Sequence, residues 1–389
     1  MSRRRVAVTG VGVVTSPGVG TEAFWEGLTK DPGKGPFAVE DWDPTVWIPR
    51  RQVRRLDLFS QYARAAAHEA LAMAGDHGAD PLRSGTCIGT GIGGMQSFEG
   101  LVEAVNHRER PRPSPVAIPM MMGNAAAADI SITFGFLGPA TTQTLACAAG
   151  AQAISDALRQ IQWGYTDLMV AGGSEAAIRP ATIAGFRVAR ALSPTDESRP
   201  FDIDRNGFVV GEGAAVMVLE EWDRARDRGA DILAEILGAG TTSDAHHITA
   251  PHPEGDGARR ALEGALADAG ATPEQVGYIN AHGTATQLND AGEGRIIADI
   301  WGDRQPLVSS IKGTTGHALG ASGGIEAVAS VLAISRGQIP PNIGLREQDP
   351  DIPLHRIVTE RQEWEPGLAV SNSFGFGGHN TVLVFGPGS

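Results

Sequence analysis

An α/β fold is predicted for this chain, and three observations predict it. Short β-branched runs alternate with alanine-rich helical runs, at 5–14, 85–91, 168–172, 214–219, 277–281 and 381–385 for the strands. Glycine, 51 residues in all, collects where strands hand over to helices, at positions that need positive φ or close backbone approach. Finally, residues 63–75 (ARAAAHEALAMAG) match residues 258–270 (ARRALEGALADAG) at Ala63/Ala258, Arg64/Arg259, Ala66/Ala261, Ala70/Ala265, Leu71/Leu266, Ala72/Ala267, Ala74/Ala269 and Gly75/Gly270. Alanine-rich helices can agree by chance; the sharper expectation is a duplicated fold whose halves meet in the centre.

Length supports duplication, because 389 residues exceed the span over which one core keeps growing. The charged stretch EEWDRARDRGAD marks a boundary near 225–235, giving an N-terminal half at 1–230 and a C-terminal half at 231–389. Composition excludes several classes. With 42% hydrophobic and 20% charged residues the chain is not disordered. A net charge of −13 argues against general binding to nucleic acid or an anionic membrane. Two cysteines, Cys87 and Cys147, suit a reducing compartment in which a thiol serves chemistry, and the start MSRRRVAVTGVGVV is too short and glycine-broken for a signal peptide. A cytoplasmic protein is expected.

Along the chain, the opening run reads as a strand. Residues 35–50 hold Trp42 and Trp47 on a surface of uncertain role, and Arg50, Arg51, Arg54 and Arg55 form a basic cluster in an otherwise acidic chain. Cys87 lies inside the apolar strand TCIGTG. Residues 131–155 carry no charge, but their threonines, glycines and proline argue against a membrane span, which needs about 20 predominantly apolar residues. They read instead as a buried strand, 141–146, running into a helix.

Cys147 stands at that junction, and Ile154, Leu158 and Ile161 recur behind it at helical spacing. A helix N-terminus presents free N–H groups and a positive dipole end, both favouring thiolate. His282 follows a strand in NAHGTAT, beside Thr284 and Thr286, and His317 lies in KGTTGHALGASG, five residues after Lys312 and ahead of Glu326. A thiolate with two imidazole N–H donors suits a reaction that builds charge on a thioester oxygen, with Lys312 and Glu326 setting tautomer and field. The run SNSFGFGGHN offers backbone N–H groups near Phe376 and Gly377 for an oxyanion hole.

Taken together and in order, TLACAAG, RPFDIDRNGFVVGEGA, NAHGTAT, KGTTGHALGASG and NSFGFGGHN resemble the elongating β-ketoacyl-acyl-carrier-protein synthases, type II, and the related ketosynthase subunits of type II polyketide synthases. The similarity runs from Val6 to the C-terminus. It implies a thiolase-like fold, two βαβαβαββ halves in a five-layered αβαβα architecture. It also implies a Cys-His-His site. Cys147 would hold the acyl chain as a thioester, and its N–H with that of Phe376 would bind the oxyanion. His282 and His317 would bind the malonyl thioester and favour decarboxylation to the attacking enolate. Lys312 would orient the histidines with support from Glu326, Thr284 and Thr286 would meet pantetheine, and Phe376 would gate the nucleophile. Ile92, Ala117, Met120, Met122 and Phe186 would line the acyl pocket. Arg50, Arg51, Arg54, Arg55, Arg112 and Arg190 would dock an acidic acyl carrier protein, whose phosphopantetheine delivers the substrate; no separate cofactor is implied. Members are dimers that pair along the 141–146 strand, with an identical chain or a chain-length-factor subunit. Ala117 in place of a frequent aromatic, Gln287 in place of proline and His379 in place of a small polar residue point toward polyketide or polyene chains.

Alternatives fit less well. A degradative thiolase needs a second cysteine near the C-terminus, an initiating synthase would carry asparagine at His317, and a non-catalytic chain-length partner would lack Cys147. A non-elongating relative that acts as a malonyl decarboxylase is a further alternative. His246, His247 and His252 have no standard metal-ligand spacing, so no metal is expected. GTGIGG lacks the acidic residue of a dinucleotide site.

Overall fold

The computed structural model describes residues 3–106 and 113–388. Its strands in chain order are β1 Val6–Thr15, β2 Gly18–Val19, β3 Ser84–Gly89, β4 Ala140–Gln143, β5 Leu168–Glu175, β6 Gly213–Glu221 and β7 Ala234–Ser243. They continue with β8 Val276–Asn280, β9 Leu307–Ser309, β10 Gln338–Ile339, β11 Gln362–Glu363, β12 Leu368–Gly375 and β13 His379–Gly386. One large sheet runs β4-β3-β5-β6-β1-β7-β13-β12-β8-β9; β2 folds back on β1, and β10 pairs with β11 apart from it.

The sheet is one motif written twice. From one edge the order is β4-β3-β5-β6-β1, and from the other it is β9-β8-β12-β13-β7, with parallel and antiparallel pairings matched position by position. The halves join where Ala7 faces Glu235 and Val8 faces Ala234.

Five layers follow. Helices Leu58–Ala74 and Ala125–Phe134 bury Phe59, Tyr62, Ala66 and Ile130 against the first half-sheet. Helices Asp256–Ala269 and Gln287–Trp301 do the same for the second with Ala261, Leu262, Ile297 and Trp301. Between the half-sheets lie helices Ala149–Gln162 and Ser322–Arg336, the latter buried from Ser322 to Ile334. It is apolar almost all round because no face of it meets water.

The repeated alanines have a steric cause. A Cβ on Gly12 would stand 1.9 Å from Ala66 O, and one on Gly10 would stand 2.1 Å from Ala70 O. In the other half Gly240 lies against Ala261 O and Gly238 against Ala265 O and Ala269 N in the same way. Strand glycine on helix alanine sets the layer spacing in both halves, and this preserves Ala66/Ala261 and Ala70/Ala265.

Two expectations change. The strand expected at 141–146 is β4, shorter and not buried. It is the outermost strand of the sheet, with Ala140 and Thr141 exposed and only β3 beside it. Its outer side is unpaired in the single chain, and Ile132 and Leu137 nearby are 81% and 67% exposed. The 35–50 segment is anchored: the Phe37 N–H donates to Val210 O, Glu212 N donates back to Phe37 O, and Trp42 meets Tyr62 edge-on. No helix among the described residues is long and apolar enough to cross a membrane.

Candidate active site

Cys147 sits in a single 3-10 turn, Ala146–Ala148, between β4 and helix Ala149–Gln162. It therefore precedes the helix by a tight turn, and Ala146 takes φ +46° to make it. Ala285 and Leu319, three and two residues after His282 and His317, are also left-handed, at +64° and +45°. Such conformations cost about 1–2 kcal/mol each for a residue with a Cβ. All three of these sequence-remote motifs carry this strain beside the residue that would do chemistry.

A pocket of about 530 Å³ reaches from the surface to the sulfur, and Cys147, His282, His317 and Phe376 all line it. His317 Nε2 is 3.0 Å from Cys147 Sγ, and the two imidazoles cross at 86° with ring centroids 5.5 Å apart. Cys147 is 6% exposed, His282 2% and His317 3%. Burial, then the Lys312 ammonium, hold both imidazoles well below the usual histidine range, so each is neutral at pH 7.

Lys312 stands behind the rings, outside the pocket lining. Its Nζ donates to His282 O at 2.6 Å, lies 3.3 Å from His282 Nδ1, and pairs with the Glu326 carboxylate. An ammonium at Nδ1 leaves the ring proton on Nε2, the nitrogen free to meet a substrate. Burial pushes the Glu326 carboxyl up to about 7 against the opposing pull of Lys312.

The sulfur experiences opposing effects. Burial pushes the Cys147 thiol up to about 11, while the Phe376 N–H and the Lys312 charge pull it down. Desolvation thus outweighs the thiolate preference expected from a helix N-terminus in the closed resting site.

The gate loop is pressed onto the nucleophile. A Cβ on Gly375 would lie 2.9 Å from Leu145 O and 3.2 Å from both Cys147 N and Ala148 N. That approach sets the Phe376 amide beside the sulfur, next to the Cys147 turn. Gly377 departs from expectation: its N–H donates to Ile248 O at 2.8 Å, so it is not free to serve an oxyanion. The Phe376 ring faces Phe186 at 6.3 Å, and Phe186 meets Phe208, whose ring packs edge-on against His317.

Ile92, Phe186, Thr284 and Thr286 line the pocket, the two threonine hydroxyls 2.9 Å apart. Ala117, Met120 and Met122 do not. Ala117 and Met120 stand on helix Ala117–Met121, packed against helix Met95–Asn106, and Met122 follows it; Gly91 and Ile92 form the wall near the sulfur instead. Arg190 is exposed at the pocket's rim; Arg50, Arg51, Arg54 and Arg55 are all exposed away from its lining, and Arg112 lies outside the described residues. His246 and His252 approach to 5.2 Å between rings, and no three potential ligands converge among the described residues.

Sequence reasoning missed several supports. Glu293, fully buried, accepts from His282 N, Gly283 N and Asn372 Nδ2 at 2.8–2.9 Å, tying the first histidine loop to β12. Glu175 accepts from Gly91 N, Ile92 N, Gly320 N and the Thr90 hydroxyl, joining the pocket wall to the turn after His317. Ser322 Oγ is 2.9 Å from His317 Nδ1. A carboxylate in an otherwise apolar element, as in GGSEAA, was the available signal for Glu175.

Residues 31–225 match the β-ketoacyl synthase N-terminal domain and residues 233–346 the β-ketoacyl synthase C-terminal domain. The chain belongs to the β-ketoacyl synthase family. Among curated relatives of this synthase, the 3-oxoacyl-[acyl-carrier-protein] synthase 2 of Synechocystis sp. is 43% identical over 99% of the chain and 98% of its own length. The synthase of that name from Staphylococcus aureus is 41% identical over 98% of each. Among solved structures, the ishigamide ketosynthase/chain length factor superposes with TM-score 0.92 at 36% identity, covering 99% of both chains. A type II polyketide-synthase acyl carrier protein in complex with its ketosynthase bound to the hexaketide gives 0.89 at 29% identity, again over 99% of both. The five-layered thiolase-like architecture is shared with these ketosynthases.

Proposed function

We propose that this β-ketoacyl synthase joins an acyl chain, held as a thioester on Cys147, to malonyl-acyl carrier protein, releasing CO2 and 3-oxoacyl-acyl carrier protein. The observation that carries the reading is the convergence of Cys147 Sγ with His317 Nε2 at 3.0 Å, beside His282, at the end of one channel. In the first half-reaction the Cys147 thiol gives up its proton as its sulfur attacks the incoming thioester, and the N–H groups of Cys147 and Phe376 receive the oxyanion. The pantetheine sulfur leaves as the carbonyl reforms and takes up that proton. In the second, Nε2–H groups of His282 and His317 hold the malonyl thioester oxygen. The carboxylate departs as CO2, its bonding pair becomes the enolate, and the enolate carbon attacks the acyl-cysteine, freeing the sulfur. Lys312 fixes His282, and Glu326 balances the charge of Lys312.

Carrier docking is assigned to Arg190 at the mouth and to Arg50, Arg51, Arg54 and Arg55, which are basic in a chain of net charge −13. The exposed edge of β4, with Ile132 and Leu137 beside it, supports pairing with a second copy or with a chain-length-factor subunit. The product belongs to fatty-acid or type II polyketide synthesis in the cytoplasm, with the two histidines contributed by the C-terminal half and the nucleophile by the N-terminal half.

Intact-mass measurement tests the reading. Incubated with acyl carrier substrate, wild type and His317→Ala should both gain the acyl mass, and Cys147→Ala should not. Condensation should vanish in Cys147→Ala and fall at least about 10²-fold in His317→Ala, the cost of one lost oxyanion donor. Elongation by Cys147→Ala would overturn the assignment. Native mass of the purified chain alone distinguishes a homodimer from a subunit awaiting a different partner.

A further inference from the structure

His282 and His317 must both offer a proton from Nε2 if they are to hold one thioester oxygen, yet their Nδ1 atoms face different chemistry. Behind His282 stands the Lys312 ammonium, which can only donate. Behind His317 stands a neutral hydroxyl, that of Ser322, which could either donate or accept.

The surroundings of Ser322 decide between the two. The residue is 2% exposed, and among the described residues its hydroxyl has no hydrogen-bond partner other than His317 Nδ1. If the hydroxyl accepted from Nδ1–H, its own proton would be buried without an acceptor, the costlier of the two ways to leave a hydroxyl half-satisfied. The Ser322 backbone N–H is already bonded to Leu319 O, so the hydroxyl proton has only the His317 ring to satisfy it.

We infer that Ser322 is a positioning residue: it donates its hydroxyl proton to His317 Nδ1 and so fixes the imidazole as a donor at Nε2. This rests on the Cys-His-His reading above and deepens it. The consequence reaches the sulfur, 3.0 Å from Nε2. Two donors, His317 Nε2–H and Phe376 N–H, then converge on Sγ and oppose the burial that pushes its thiol up, stabilising the thiolate as it forms. One hydroxyl supports both half-reactions through the same ring.

The experiment uses the full chain and its Ser322→Ala and Ser322→Thr variants. Nitrogen-15 NMR of histidine-labelled protein, assigned with His317→Asn, reads which ring nitrogen carries the proton. Wild type should show His317 protonated at Nε2 and bare at Nδ1, and Ser322→Ala should show a mixture. Alkylation of Cys147 by iodoacetamide near pH 7 should slow about tenfold in Ser322→Ala, with the pH profile displaced upward. Its kcat for condensation should fall about tenfold while KM for malonyl carrier stays within about twofold, as expected for losing one neutral hydrogen bond. Ser322→Thr, which keeps the hydroxyl, should recover the Nε2 tautomer. A proton on Nδ1 in wild type overturns the proposal, as does a Ser322→Ala enzyme unchanged in tautomer and kcat. A wild-type enzyme that is never acylated at Cys147 would instead overturn the site reading, while the NMR result would still decide the role of Ser322.

Discussion

Lys312 and Glu326 face each other with both side chains removed from water. Truncating one partner of such a pair strands the other, at a cost of about 3–5 kcal/mol. Lys312→Met should therefore lower the thermal midpoint as well as activity, and Lys312→Met with Glu326→Leu should recover part of the stability but none of the rate. The pair also has a pH signature. Because burial raises the Glu326 carboxyl to about 7, the unfolded chain releases this proton first as pH rises from the ordinary value of 4.5. The stability it contributes is complete below that window and is lost through about 7. Glu326→Gln should flatten this part of the decline in thermal midpoint between about pH 4.5 and pH 7, measured by calorimetry.

At the level of elements, the site is made of turns that the surrounding layers hold under strain. Gly375 shows how narrow the tolerance is: a single methyl there meets Leu145 O and the amides of Cys147 and Ala148. Gly375→Ala should lower the thermal midpoint, because backbone must shift to admit the methyl, and should lose about 10–100-fold in kcat, since the Phe376 amide is displaced from the sulfur. This scale also shows what a sequence can disclose. The strands expected at 168–172 and 214–219, each slightly longer in the structure, and the central helix behind Cys147 were legible because period and glycine punctuation are local. Cys147, His282, His317 and Lys312 were legible because they stand in short motifs of unusual composition. β4 was misread because an uncovered sheet edge and a buried strand share the same uncharged composition. Ala117, Met120 and Met122 lie outside the lining of the pocket that reaches Cys147, because which wall a helix faces depends on packing between distant segments. Glu293 and Glu175 were missed because most of their partners are backbone amides, which carry no residue-type signature.

For the whole molecule, charge and shape act together. For a chain of net charge −13, the proposed docking of an acidic carrier requires local basic groups. Arg54→Glu with Arg55→Glu should raise KM for acyl carrier substrates about tenfold at low salt and flatten the salt dependence, while leaving iodoacetamide alkylation of Cys147 unchanged. An unchanged KM across ionic strengths would remove those arginines from the docking surface.

The shared central layer has a consequence for how the enzyme comes into being. Helix Ala149–Gln162 starts at the nucleophile, helix Ser322–Arg336 starts just after the second imidazole, and the Phe376 amide arrives only with the final hairpin of β12 and β13. The nucleophile thus precedes all its partners along the chain, and the site is assembled only when the hairpin that carries the Phe376 amide takes its place in the sheet.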